Sequence, residues 1–183
     1  MLKHAYWQIP SCFNKKEIKQ VNSFILKNNY GNESADKPAK NKIARVKHIQ
    51  WNKVEPFLKP LVERALYIGR TEFGYDLYPL SHGEALNYNI YRCKDKGSYD
   101  WHIDTSQDVL WDIKLTVLIN ISNKPYKGGK FKIYHCSNKV DVPELDIPGN
   151  MIMFNSSLHH TVRPITSGER KTLTIFLKGP AFK

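Results

Sequence analysis

The chain has 183 residues, enough for one domain with a sizeable core, and its 41% hydrophobic and 25% charged residues are ordinary for a globular protein. No apolar run approaches the roughly 20 residues of a membrane span, MLKHAYWQIPSCF lacks the apolar core of a signal peptide, and 12% aromatic residues argue against disorder. Twenty-eight Lys and Arg against 17 Asp and Glu leave a net charge of +11, which raises the question of a polyanionic partner.

Asn14 reads as the cap of a first helix, with Glu17 three residues on completing a capping box. Ile18, Val21, Phe24 and Ile25 then give that helix one apolar face. Residues 28–48 are polar and lysine-rich and read as an exposed loop. A second helix is expected from Asn52, with Glu55 at its N3 position and Val54, Phe57, Leu58, Leu61, Ala65 and Leu66 on its buried face. Pro56 suits the first turn, whereas Pro60 should kink the helix or delay its regular part.

Beyond about Gly74, short β-rich runs alternate with turns: EALNYNIYR, SYDWHID, IKLTVLINI, GKFKIYH, MIMFN, HHTVRPI and KTLTIFLK. Such spacing predicts a sandwich or double-sheet jelly roll. The expectation is a single domain over 1–183, with helical support in 1–74 and the β core in 75–183. Cys12, Cys93 and Cys136 lack paired spacing, so no disulfide framework is expected and a cytoplasmic setting is. Nothing in the sequence suggests a membrane partner, and a monomer suits the length.

His102 and Asp104 form a His-x-Asp pair whose side chains share one face of an extended segment. His160 lies 58 residues downstream, and Arg170 ten residues beyond that. Two imidazoles and one carboxylate can hold one face of an octahedral Fe(II) and leave three positions open, as an oxygenase requires. An arginine fork suits a carboxylate co-substrate. Taken alone, each residue also has a plain structural reading, as a turn histidine or a surface charge.

The stretches Gly97–Asp104, Tyr126–Phe131, Pro148–Asn150 and His160–Arg170 together resemble the iron(II)- and 2-oxoglutarate-dependent dioxygenases, in their prolyl 4-hydroxylase-like branch. The likeness spans about residues 85–178, and extends more weakly to IPSCFNKKEI near the N-terminus. It implies a double-stranded β-helix (jelly roll, cupin-like), mainly β with N-terminal helices. It implies His102, Asp104 and His160 as metal ligands and Arg170 as the anchor of 2-oxoglutarate's distal carboxylate. Tyr91, Thr174 and Tyr99 become candidate co-substrate or pocket residues. Leu118 stands where some members carry a second co-substrate tyrosine. The implied cofactors are Fe(II) and 2-oxoglutarate, with ascorbate as a further candidate.

The adjacent His159 competes with His160 for the ligand role, but strand alternation lets only one face inward, and the spacing to Arg170 favours His160. Trp101 should point to the opposite face and pack in the core. Asp100 and Asp108 flank the site. Gly128 and Gly129 read as turn glycines; His4, His48, His82 and His135 have no partner at ligand spacing. The implied reaction is hydroxylation of an unactivated C–H bond with O2, releasing succinate and CO2, on a peptidyl residue such as proline. A free amino acid or other small metabolite is the alternative. Nucleic-acid oxidative demethylation is disfavoured, because KTLTIFLKGP after Arg170 lacks the second arginine expected there. The first 64 residues hold 13 basic and 5 acidic side chains, so most of the charge excess lies outside this constellation, where solvated lysines account for it.

Overall fold

The computed structural model describes residues 5–27, 33–34 (backbone only), 41–105 and 110–181. Two antiparallel sheets face each other in a jelly roll, and two helices cover the outer face of the larger one. The larger sheet contains β1 (Trp7–Ile9), β2 (Glu33–Ser34), β4 (Arg45–Gln50), β5 (Ala85–Arg92), β7 (Trp111–Asn120), β11 (Met151–Asn155) and β13 (Ile165–Pro180), with β8 (Tyr126–Gly128) paired to the start of β13. The smaller sheet runs β10 (Asn138–Asp141), β9 (Phe131–His135), β12 (His160–Val162), β6 (Ser98–His102), β3 (Lys42–Ile43).

α1 (Lys15–Lys27) starts as the capping box dictates. Asn14 Oδ1 accepts from the Lys16 and Glu17 amides, and Glu17 Oε2 accepts from the Asn14 amide. The helix is anchored at Gly149 (φ +92°), where an added Cβ would lie 2.1 Å from the Phe13 carbonyl oxygen, so only glycine lets the two backbones meet.

α2 (Trp51–Thr71) departs from expectation. It begins one residue early, and Gln50 at its N-cap makes no side-chain cap bond, so Glu55 completes no capping box. Both Pro56 and Pro60 lie inside it. They occupy its exposed face, where water can satisfy the carbonyls they leave without an N–H, while Val54, Leu58, Val62 and Ala65 stay buried on the other side.

The segment read as a loop at 28–48 is also corrected. β2, β3 and most of β4 lie within it, and the supporting third is therefore not purely helical. β4 pairs with β5 along its whole length, which buries Val46 and Ile49 although few of its residues are apolar. Residues 28–32 and 35–40 of that segment lie outside the described residues.

Strict alternation divides each central strand of the larger sheet between two environments. Leu86, Tyr88 and Ile90 of β5, Leu115, Val117 and Ile119 of β7, and Leu173, Ile175 and Leu177 of β13 pack against the helices. The intervening residues face the smaller sheet, where Leu118, Phe131, Ile152, Phe154 and Val162 form a second core. Trp101 does not join either core. It lies half-buried on the outer face of the smaller sheet, edge-on to Tyr134, because its neighbour His102 takes the inward direction. All three cysteines are free thiols. No helix among the described residues is long and apolar enough to cross a membrane.

Candidate active site

The end of β6 and the start of β12 are paired so that His102 and His160 stand opposite each other, with ring centroids 4.0 Å apart. Asp104 follows two residues past His102, its backbone N–H held by the Ser156 carbonyl at 2.9 Å. One carboxylate oxygen lies 3.6 Å from His102 Nε2, and the other 3.2 Å from His160 Nε2. Ligand atoms of the three residues lie within 4.8 Å of one another, as a single cation would need. His160 is buried, whereas the adjacent His159 is exposed.

Each imidazole is oriented by the backbone two residues upstream. His102 Nδ1 lies 2.7 Å from the Asp100 carbonyl oxygen, and His160 Nδ1 2.9 Å from that of Leu158. A carbonyl only accepts, so each Nδ1 carries the proton and each Nε2 lone pair faces Asp104. Such backbone partners are what fix the tautomer of metal-binding histidines. Three acceptors aimed at one point repel one another unless a cation lies among them, and the donor set therefore suits a divalent metal.

Electrostatics favour the same state. Burial, then the neighbouring His160, pushes His102 down to about 4, so it is a neutral imidazole near neutral pH. Burial alone would raise Asp104, but its close neighbours, His160 first, then His102 and the Thr116 hydroxyl, hold it below its ordinary range. Thr116 Oγ1 donates to Asp104 Oδ2 at 2.8 Å. The Tyr99 ring stacks on His102 with centroids 3.4 Å apart, and Phe131 and Phe154 pack around His160.

Arg170 sits opposite Tyr91 in the β13–β5 register, with its guanidinium carbon 5.9 Å from the Tyr91 ring. It is 1% exposed, yet Nε and Nη2 have no hydrogen-bond partner among the described residues. A buried cation without a partner costs several kcal/mol, so the pocket calls for an anion. Gly129 (φ +66°) makes room for it: a Cβ there would lie 3.0 Å from Arg170 Cδ. Burial raises the Tyr91 hydroxyl well above its ordinary range, leaving it a phenol that can donate.

One cavity of about 80 Å³ is lined by all seven residues singled out in the sequence: Tyr91, Tyr99, His102, Asp104, His160, Arg170 and Thr174. Leu118, noted as a departure, lines it as well. Sequence reasoning missed Lys42, Asn87, Asn89, Thr172 and Phe176, which line it too, and Thr116, which orients Asp104. Asn89 Nδ2 donates to Thr174 Oγ1 at 3.0 Å, and Lys42 Nζ donates to Asn89 Oδ1 at 3.0 Å. The alternation LNYNIY in β5 was the available signal for Asn87 and Asn89. Asp108 and His4 lie outside the described residues.

The profile of the 2OG-Fe(II) oxygenase superfamily matches residues 86–178, just over half of the chain. No curated protein sequence matches it. Among solved structures, a Pseudomonas putida prolyl-4-hydroxylase superposes with a TM-score of 0.72 at 16% identity, over 98% of this chain and 95% of its own. The viral collagen prolyl hydroxylase of Paramecium bursaria Chlorella virus-1, a 2OG complex, gives 0.70 at 16% identity, over 97% of each chain. A prolyl hydroxylase from Trichoplax adhaerens, in complex with a hypoxia inducible factor peptide fragment, gives 0.72 at 16% identity, over 96% of this chain and 84% of its own.

Proposed function

The chain belongs to the 2OG-Fe(II) oxygenase superfamily, and from that premise we propose that this 2-oxoglutarate-dependent dioxygenase hydroxylates an unactivated C–H bond of a peptidyl residue, proline foremost. One atom of O2 enters the new hydroxyl, and the other enters succinate as 2-oxoglutarate loses CO2. The observation that carries the reading is a single cavity with a His–Asp–His donor set at one end and the unpartnered Arg170 guanidinium at the other.

In this reading His102, Asp104 and His160 hold Fe(II), which supplies the redox chemistry that couples oxidative decarboxylation to C–H hydroxylation. Arg170 receives the distal carboxylate of 2-oxoglutarate in a bidentate fork. Tyr91 and Thr174 line the same compartment, and Tyr99 holds the His102 ring by stacking. Phe131 and Phe154 keep water from the His160 side. No side chain needs to move a proton.

A single catalytic domain is the reading supported by the core that both helices share with the strands carrying Tyr91 and Arg170. The free cysteines fit a reducing compartment such as the cytoplasm. The peptide assignment draws on the prolyl hydroxylases of like fold, one of them bound to a peptide.

A second reading, a small carboxylate-bearing metabolite, is favoured by Lys42, whose ammonium lies in the cavity 4.7 Å from the Tyr99 ring centroid. Incubation with Fe(II), 2-oxoglutarate and either a proline-containing peptide library or free amino acids separates the two. The expected result is a peptide heavier by one oxygen atom. Modified amino acids with unmodified peptides would establish the second reading, and 2-oxoglutarate turnover modifying neither would count against both.

Thr116→Val removes the hydroxyl that orients Asp104 without changing side-chain volume much. It is expected to weaken metal binding about 10-fold, as loss of an outer hydrogen bond to a ligand does. Calorimetric titration with Mn(II) checks this; unchanged affinity would show that Thr116 does not orient the carboxylate.

A further inference from the structure

A second concavity, of about 930 Å³, opens between the first turns of α1 and the turn that leads through β8 into β9. Lys15 and Lys19 line it from the helix, and Lys124, Lys127 and Lys130 from the turn. The acid in its lining is Asp146. Lys130 pairs with one oxygen of Asp146, and the other oxygen is buried without a hydrogen-bond partner among the described residues. Lys15, Lys19, Lys124 and Lys127 form no ion pair among the described residues.

Four unpaired cations around one concavity repel one another, and the low-dielectric wall focuses their field outward. An anionic ligand removes that repulsion. The amides of the α1 N-terminus are already engaged by Asn14 and Glu17, so the attraction comes from the lysines rather than the helix end. The floor is fixed in advance. The Tyr126 hydroxyl donates to the Asp146 carbonyl at 3.2 Å and accepts from Asn120 Nδ2 at 3.0 Å. Preorganisation of this kind lowers the entropic cost of binding.

The chemistry selects among polyanions. Phosphate backbones are best met by arginine forks and by aromatic faces for the bases. The lining contains no arginine, and its one aromatic residue, Tyr126, is hydrogen-bonded into the floor. The Asp146 carboxylate in the lining disfavours a continuous run of phosphates, whereas a polypeptide can space its carboxylates among the lysines.

We propose that this groove binds an acidic stretch of a partner polypeptide, with its carboxylates on Lys15, Lys19, Lys124 and Lys127. The site is distinct from the iron cavity, and the inference does not depend on the oxygenase reading. Lys15 and Lys19 from the basic N-terminal part and the lysines of the NKPYKGGK turn converge on this one groove.

The test is fluorescence anisotropy of a labelled Glu-rich peptide with the full chain, which needs no iron or turnover. The wild type is expected to bind in a salt-dependent manner. Lys124→Glu/Lys127→Glu and Lys15→Glu/Lys19→Glu should each weaken binding more than about 10-fold, whereas Lys53→Glu/Lys94→Glu, with the same charge change outside the groove, should shift it less than about two-fold. Absence of binding, or equal weakening by the control pair, overturns the proposal. Tighter displacement by oligothymidylate of equal charge overturns it in favour of nucleic acid; tighter displacement by tripolyphosphate does so in favour of a small-anion site.

Discussion

Arg170→Met is expected to make the protein more stable and far weaker toward 2-oxoglutarate. The wild-type guanidinium is buried, with Nε and Nη2 unpartnered among the described residues, so an apolar side chain of similar reach relieves a desolvation cost. Replacing buried charge with well-packed apolar groups often stabilises by about 1–4 kcal/mol. Losing the partner of a buried carboxylate costs about 2–5 kcal/mol, or roughly 30- to 5,000-fold in affinity. Thermal unfolding with and without 2-oxoglutarate, in the presence of Mn(II), reads both effects. The variant should melt higher than wild type without 2-oxoglutarate, and the order should reverse at saturating 2-oxoglutarate, because only the wild type gains ligand linkage. Arg170→Lys keeps a charge but loses the fork, and should fall between the two. A variant that melts lower without 2-oxoglutarate, or gains as much from it as wild type does, would show that the distal carboxylate binds elsewhere.

Asp104→Ala should abolish 2-oxoglutarate turnover while leaving the fold in place. Groups that merely orient a metal ligand are worth 10- to 100-fold, and the carboxylate ligand itself should exceed about 100-fold. Its structural ties are few: the Thr116 hydroxyl donates to it, and the backbone N–H to Ser156 survives the substitution. The stability loss should therefore stay near 1 kcal/mol. Succinate production and circular dichroism on one preparation separate the two effects. Persisting turnover would mean that His102, Asp104 and His160 are not the ligand set.

The His102, Asp104 and His160 cluster and Arg170 were legible mainly through the resemblance of four short stretches to the dioxygenases, and the helix start through a local signal. His-x-Asp on an extended segment places two side chains on one face, and the capping box at Asn14 and Glu17 is contained in four residues. What was not legible depends on neighbours distant in sequence. β4 was hidden because its burial pattern breaks alternation, and it is a strand through its pairing with β5. Lys42 reaches the cavity only because β3 pairs with β6 at the edge of the smaller sheet. Thr116 was hidden in the apolar run LTVLIN, where nothing in the sequence says which face meets Asp104. Pro60 misled because its cost depends on whether the helix face it occupies is wet, which a lone helix does not reveal.

The alternation of the larger sheet bears on how this scaffold could be re-engineered. Leu86, Tyr88, Ile90, Leu115, Val117, Leu173 and Ile175 hold the helices, whereas Asn87, Asn89, Leu118, Thr172 and Phe176 look into the cavity. Because the two sets interleave one residue at a time, a combinatorial library confined to the second set would sample new pockets while leaving the helix-packing interface untouched.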